Sequence, residues 1–341
     1  MSPDSPAGST PVIAISAGDV RGIGPEVLLK ALARPELNGR FEPLVVGPAA
    51  ALRLQARELW PGGDYPPLVR RALETVLDIA SATEPGDRPG SMAGLRGLLA
   101  DNEALAGSWA GRAVEKAAGM ALGGEAASLV TAPLDKHALN LGGYHFPGHT
   151  EMLAHLAGDV EVSMMLAGGT LRVVPATTHV ALSRVPSLIT RELIADQCAV
   201  THGGLRRVFG IDRPRIAVCG LNPHLGDGGV AGSEDQKVVA PAVAECAASG
   251  LDVRGPFPAD TVFVRAARGE FDAVLAMYHD QAMVAIKMHA FGGGVNVTLG
   301  LPYVRTSPDH GTALDIAGRG VADENSMLEA LKLAVKAAGA E

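Results

Sequence analysis

An apolar run, Val12-Ile13-Ala14-Ile15, breaks into a Gly-rich turn at 18–24, after which Pro25 and Glu26 open Val27-Leu28-Leu29-Lys30-Ala31-Leu32. A short apolar run bounded by a turn reads as a buried strand. Proline at a first helical position sacrifices no hydrogen bond, and a glutamate beside it complements the helix dipole. Leu44-Val45-Val46-Gly47 then reads as the next strand. Strand, helix, strand is the grammar of a parallel α/β sheet, and it constrains this chain more than any other feature. The same reading predicts strands at 128–131, 163–166, 171–176, 215–219 and 273–277 and helices at 113–123, 152–156 and 326–338. It predicts a surface crossing over 81–97.

Length and composition bound the rest. At roughly 150 residues per domain, 341 residues predict two domains. With 47% hydrophobic and 19% charged residues the chain has ample apolar side chain for a core, which excludes disorder. A net charge of −8 and the lack of a Lys/Arg-rich run argue against nucleic acid, so an anionic ligand must be met by a few placed cations. No apolar run reaches the roughly 18–20 residues of a membrane helix. Residues 1–10 are polar and read as a frayed tail, not a signal peptide. Cys198, Cys219 and Cys246 lack CxxC spacing and read as reduced thiols of a cytoplasmic protein. There is no internal repeat.

Chemistry concentrates where the predicted strands stop. His179 closes Ala176-Thr177-Thr178-His179, His224 closes Leu221-Asn222-Pro223-His224, and His279 sits in Met277-Tyr278-His279-Asp280-Gln281. A single histidine at such a place is ordinarily a loop residue. Three at matching strand ends suit a transition-metal site, because imidazole is the commonest ligand and three protein ligands leave positions open. In open α/β sheets ligands gather at the carboxyl ends of the strands. Asp280 reads either as the hydrogen-bond partner that orients His279 or as a helix cap.

Three further segments attract attention. Pro147-Gly148-His149-Thr150-Glu151 offers two donors suited to phosphate or carboxylate, with Thr150 also fit to cap the helix at 152–156. Lys287, Asn296 and Arg305 stand nine residues apart, a spacing that no helix or strand face explains. They read as converging donors around one anion, or, for the two cations, as surface residues. The stretch 309–320, with His310-Gly311-Thr312-Ala313 and Asp315, is too polar for a core strand and too Gly-rich for a helix. It reads as a ligand-wrapping loop or a connection. The glycines at 18–24 do not follow GxGxxG, and no such fingerprint is assigned.

Together these segments resemble the 4-hydroxythreonine-4-phosphate dehydrogenase family, which acts in pyridoxal phosphate (pyridoxine) biosynthesis. The resemblance runs through GIGPE at 22–26, TAP at 131–133 with Lys136 three residues on, GHTE at 148–151, ATTH at 176–179 and GLNPH at 220–224. It continues through PADT at 258–261, MYHDQ at 277–281, and the stretch from GVNVTLGLP at 294 to DIAG at 318. It implies two α/β domains with a cleft between them, a fold shared with isocitrate and isopropylmalate dehydrogenases. The first would hold 1–135 plus 305–341, and the second, with the metal ligands and dimer contacts, 136–304.

By the same resemblance a divalent metal (zinc, cobalt or magnesium) sits on His179, His224 and His279, and substrate on His149, Thr150, Lys287, Asn296 and Arg305. NAD or NADP lies on His310, Gly311, Thr312 and Ala313, with Asp315 and Asp323. Lys136 and Asp260 are the candidates for proton transfer. The implied reaction is oxidation of 4-phosphooxy-L-threonine at its 3-hydroxyl, then decarboxylation to 3-amino-2-oxopropyl phosphate, in a homodimer whose subunits share each site. Family relatives act on 4-phospho-D-threonate or 4-phospho-D-erythronate, and others on aromatic dihydrodiols. The intact GHT at 148–150 favours a phosphorylated substrate. Acyl transfer on a related fold would give the strand-end histidines nothing to do. The chain departs from the family at Val20-Arg21, where Pro-Ala is usual, and in the varied stretch after Lys287.

Overall fold

A computed structural model of the chain describes residues 10–80 and 89–339. Within them the chain forms two compact units, the first running to Val160 and resuming at Pro302, the second spanning Glu161–Leu301. Most of the N-terminal tail, and 81–88 of the expected surface crossing, lie outside the described residues.

In chain order the first unit holds β1 (Val12–Ser16), α1 (Gly24–Leu32), β2 (Glu42–Gly47), α2 (Ala49–Leu59), α3 (Pro67–Thr75), β3 (Leu77–Asp78) and α4 (Met92–Ala100). It continues with α5 (Glu103–Leu122), β4 (Ser128–Thr131), α6 (Lys136–Leu141) and α7 (His149–Leu156). The second unit holds β5 (Ser163–Gly168), β6 (Leu171–Pro175), α8 (Val185–Leu188), α9 (Arg191–Phe209), β7 (Arg215–Cys219) and α10 (Ala240–Ala248). After these come β8 (Asp252–Phe257), α11 (Ala259–Ala267), β9 (Ala273–Ala276), α12 (His279–His289) and β10 (Val295–Leu299). The chain then returns to the first unit with β11 (Val304–Pro308) and α13 (Asn325–Ala337).

The first unit's strands run β3-β2-β1-β4-β11, all parallel. Strands buried on both faces read as continuous apolar runs, as β1 does. Its sheet also buries polar groups, and α13 satisfies them. Ser128 Oγ donates to the Ala334 carbonyl and Thr306 Oγ1 to that of Ala330. Glu26 is fully buried in the first turn of α1, bonded to Lys30 Nζ at 2.7 Å and to the Ala322 N–H at 3.1 Å. It ties the helix to the end of the 309–323 loop as well as complementing the dipole.

In the second unit the strands run β10-β5-β6-β9-β7-β8, antiparallel at β10–β5 and β5–β6 and parallel thereafter. Leu171, Val173, Ala217, Val274 and Ala276 pack with Phe271 and Ile286 in its core. All three cysteines lie buried in this unit and are free.

Helices α4 and α5 differ from the sequence reading. The end of the expected surface crossing, from 92 to 97, belongs to helix α4: Ser91 Oγ accepts from the Gly94 N–H, and Met92, Leu95 and Leu99 are buried at helical spacing. The helix expected from 113 begins at Glu103, capped by Asn102. Its early turns contain Gly107 and Gly111, which lower helix propensity but are required by packing. A Cβ on Gly107 would fall 1.7 Å from the Ala138 carbonyl oxygen, and one on Gly111 2.1 Å from the Tyr144 ring. That close approach seats α6 on α5, and the structure therefore places 136–160 in the first unit, where the sequence reading had expected a boundary at 135.

Candidate functional site

The second unit sends its three candidate histidines out of three neighbouring parallel strands. In the order β6-β9-β7, Pro175 pairs with Ala276 and Val218 with Leu275, so the chain segments leading to His179, His279 and His224 all leave from the carboxyl ends of adjacent strands. Polar bonds lock these exits together. Thr177 Oγ1 donates to the Met277 carbonyl at 2.8 Å. Gln281 accepts from the Met277 N–H at 2.7 Å and donates to the Gly220 carbonyl at 3.0 Å, bridging the ends of β9 and β7. Asp235, 1% exposed, accepts the Leu221 and Asn222 N–H groups at 2.6 and 3.0 Å, which shapes the approach to His224. Sequence reasoning missed Thr177, Asp235 and Gln281 as positioning residues. Gln281 lay within a quoted motif, but its bridge joins segments sixty-one positions apart in the chain.

His179 and His224 adopt left-handed backbone, φ 51° and 50°, and the segment after His224 continues it through Leu225, Gly226, Asp227 and Gly228. Non-glycine residues held there carry strain of about 1–3 kcal/mol each, a cost often found where a side chain must be aimed. The His179 and His279 rings stand 5.5 Å apart, centroid to centroid. His279 Nδ1 lies 2.8 Å from Asp280 Oδ1, a contact that fixes the ring and leaves Nε2 uncommitted to Asp280. Of the two readings of Asp280, the structure supplies the orienting partner: the residue sits in the first turn of α12 and Tyr278 holds the cap position.

Among the described residues no group of three or more His, Cys, Asp or Glu side chains stands ready to hold a metal ion. The expected triad is thus not assembled as one group within a single chain; His179 and His279 adjoin. Asp260, in the first turn of α11, lines a cavity of about 620 Å³ together with Tyr278, Asp280 and Gln281. Lys287 is exposed on α12, and Asn296 lies on β10 with its Oδ1 buried and without a hydrogen-bond partner.

A second cluster belongs to the first unit. Arg305, on β11, is 2% exposed, and its Nη2 donates to Thr131 Oγ1 at the end of β4 at 2.6 Å. Burial pulls its guanidinium down to about 10, with Tyr303 and Glu151 opposing. Lys136 opens α6, whose N-cap Asp135 accepts from the Ala138 N–H, and its side chain runs past Gly148. A Cβ on Gly148 would stand 3.3 Å from Lys136 Cε. His149 is the first residue of α7, not one that precedes it, and Thr150 lies inside the first turn without a capping bond, which corrects the expected start at 152.

Burial pushes the His149 imidazole well below its ordinary range, and the charges of Arg305 and Lys136 push it further. Its Nε2 is buried with no hydrogen-bond partner. A neutral imidazole with a bare nitrogen beside two cations is a place built for an anion.

The 309–323 loop contains neither helix nor strand. Ala313 has φ 42°, and the Ile23 N–H donates to the Thr312 carbonyl at 2.9 Å, so the loop rests on the turn after β1. His310 Nδ1 lies 3.0 Å from the Gly311 carbonyl oxygen, and its Nε2 is buried and unpartnered. Asp315 is exposed, while Asp323 accepts from the Asn325 N–H at the start of α13. No described helix is long and apolar enough to cross a membrane.

Comparison with known proteins extends over nearly the whole chain. The profile of the family described as pyridoxal phosphate biosynthetic protein PdxA matches residues 43–334. A D-threonate 4-phosphate dehydrogenase from Cupriavidus necator is 44% identical, over 94% of this chain and 96% of that one. A 4-hydroxythreonine-4-phosphate dehydrogenase from Geobacter metallireducens is likewise 44% identical, over 96% of each. The crystal structure of a 4-hydroxythreonine-4-phosphate dehydrogenase from Klebsiella pneumoniae superposes with a TM-score of 0.81 at 40% identity, covering 96% of this chain and 99% of that one.

Proposed function

The chain belongs to the family of the pyridoxal phosphate biosynthetic protein PdxA, and from that membership we propose that it oxidises the 3-hydroxyl of 4-phosphooxy-L-threonine. The 3-keto acid so formed loses CO2 to give 3-amino-2-oxopropyl phosphate. A second reading is oxidation of 4-phospho-D-threonate or 4-phospho-D-erythronate, and the likeness to the Cupriavidus necator enzyme favours its D-threonate form. What carries the phosphate end of either reading is His149, kept neutral beside Arg305 and Lys136 in a buried, cation-rich cluster. A phosphate monoester brings negative charge and acceptor oxygens to a site where two cations and a buried, unpartnered imidazole nitrogen meet. His149, Thr150, Lys287, Asn296 and Arg305 hold and orient the substrate. Lys136 and Asp260 are the groups within the chain suited to move the proton.

His179, His224 and His279 would hold the divalent cation, zinc, cobalt or magnesium. The donor set suits it: three imidazoles on neighbouring strand exits, two on strained backbone and one oriented by a carboxylate. Such a cation supplies Lewis-acid polarisation of the substrate oxygens. NAD or NADP, the hydride acceptor, would lie along His310, Gly311, Thr312 and Ala313 with Asp315 and Asp323. The family resemblance further implies a homodimer in the cytoplasm, each subunit completing its neighbour's site.

The test is reduction of NAD and NADP with phosphorylated L-threonine and D-threonate substrates, with and without chelator. Turnover is expected with one of them, lost on chelation and restored by metal. No turnover with either after metal is restored would sink the dehydrogenase reading. The His224→Ala variant should lose metal-dependent turnover, and a wild-type rate there would remove His224 from the ligand set.

A further inference from the structure

Two residues before Arg305, Tyr303 is only 7% exposed and its Oη is buried without a hydrogen-bond partner. Phenylalanine would fill the same ring volume without this cost. Leaving a buried hydroxyl unsatisfied costs about 1–3 kcal/mol, so a tyrosine kept in this state is short of an acceptor. It lies in the bend that leads into β11, two residues from Arg305, and the two groups sense each other electrostatically. Burial drives the phenol up to about 12, with Arg305 opposing, so the hydroxyl keeps its proton. It is a donor.

We propose that Tyr303 is a specificity-determining residue whose hydroxyl donates a hydrogen bond to the phosphate group bound by Arg305 and His149. The inference rests on the anion reading of that cluster and adds to it a neutral donor. Arg305 already gives one bond to Thr131 Oγ1, so part of its fork is committed to the protein. A phosphate monoester presents three terminal oxygens, each able to accept more than one hydrogen bond. A phenol O–H beside the guanidinium serves one of them, and a carboxylate, with two oxygens, gains less from it.

The experiment is titration of the full-length protein and its Tyr303→Phe variant with inorganic phosphate, at matched ionic strength, followed by calorimetry. Acetate serves as the carboxylate comparison, and thermal unfolding is measured on the ligand-free proteins. Loss of the hydroxyl is expected to weaken phosphate binding by on the order of tenfold, to change acetate binding much less, and to leave the unliganded Tm equal or higher. Equal phosphate affinity in Tyr303→Phe and wild type would overturn the role of Tyr303 while leaving the anion site intact. A lower Tm in unliganded Tyr303→Phe would also overturn it, by showing that the hydroxyl serves the fold. Wild-type protein that binds no phosphate would overturn the anion reading and this inference together.

Discussion

His149 carries a pH dependence that can be assigned in advance. Its folded pKa lies well below the ordinary 6.5, owing first to burial and then to Arg305 and Lys136. Below that pH the unfolded chain takes up a proton that the folded chain refuses. The stability associated with a neutral His149 is therefore complete above about pH 6.5 and is lost as pH falls, by about 1.4 kcal/mol per unit until the folded group titrates. Denaturant unfolding at pH 7.5 and 5.5 should show a smaller acid loss in His149→Gln than in wild type. Equal losses would mean that the imidazole is not held neutral. The sequence made His149 a candidate donor through its neighbours, Gly148 and Thr150. It could not reveal the charge state, because Arg305 meets it only in the fold. The same limit separated Lys287 from Arg305: equal on the page, one is exposed on a helix and the other is buried on a strand.

Between elements, the turn after β1 is held by a cation that the sequence marked only as unusual. Arg21 makes a bidentate pair with fully buried Asp19 and reaches Glu103 at 3.1 Å and Asp135 at 3.8 Å, joining this turn to the starts of α5 and α6. Removing one member of a buried pair leaves the other charge uncompensated, so Arg21→Ala is expected to cost about 3–5 kcal/mol in denaturant unfolding. A loss within the range of a surface pair, under about 1 kcal/mol, would show that solvent replaces the guanidinium.

Strands at 128–131 and 215–219 were legible to the residue, being apolar runs with clear stops. Strands β10 and β11 were not. Glycines flank the first and polar residues fill the second, and their neighbours β5 and β4 supply the pairing that local composition does not. Helix α4 was hidden by its own glycines, Gly94 and Gly97, until its buried Met92, Leu95 and Leu99 were seen on one face.

On the scale of the whole molecule, Val264, Val284 and Met288, 51%, 64% and 84% exposed, border the cavity between α11 and α12. An apolar surface of this kind on a chain expected to share its site is a candidate contact between two copies. If this face forms the proposed dimer with its shared site, the double variant Val284→Glu/Met288→Glu should sediment as a monomer and lose turnover. A dimer of wild-type mass would place the contact elsewhere. Two α/β units were foreseeable from length and strand–helix alternation. Their limits were not, because what seats α6 on α5 in the first unit is a close backbone approach at Gly107, invisible in a pattern of apolar residues.

The interrupted layout of the first unit also orders events in time. Strand β4 needs β11 beside it, and Ser128 and Thr306 need the carbonyls of α13, yet both partners are encoded after the whole of the second unit. On the ribosome the second unit is therefore complete in sequence while the first still exposes one edge of its sheet. At about 5–20 residues per second, the roughly forty residues from Pro302 onward take seconds to emerge. For that interval the flank of β4 that later pairs with β11 is an open strand edge, which other strands can pair with unless it is shielded.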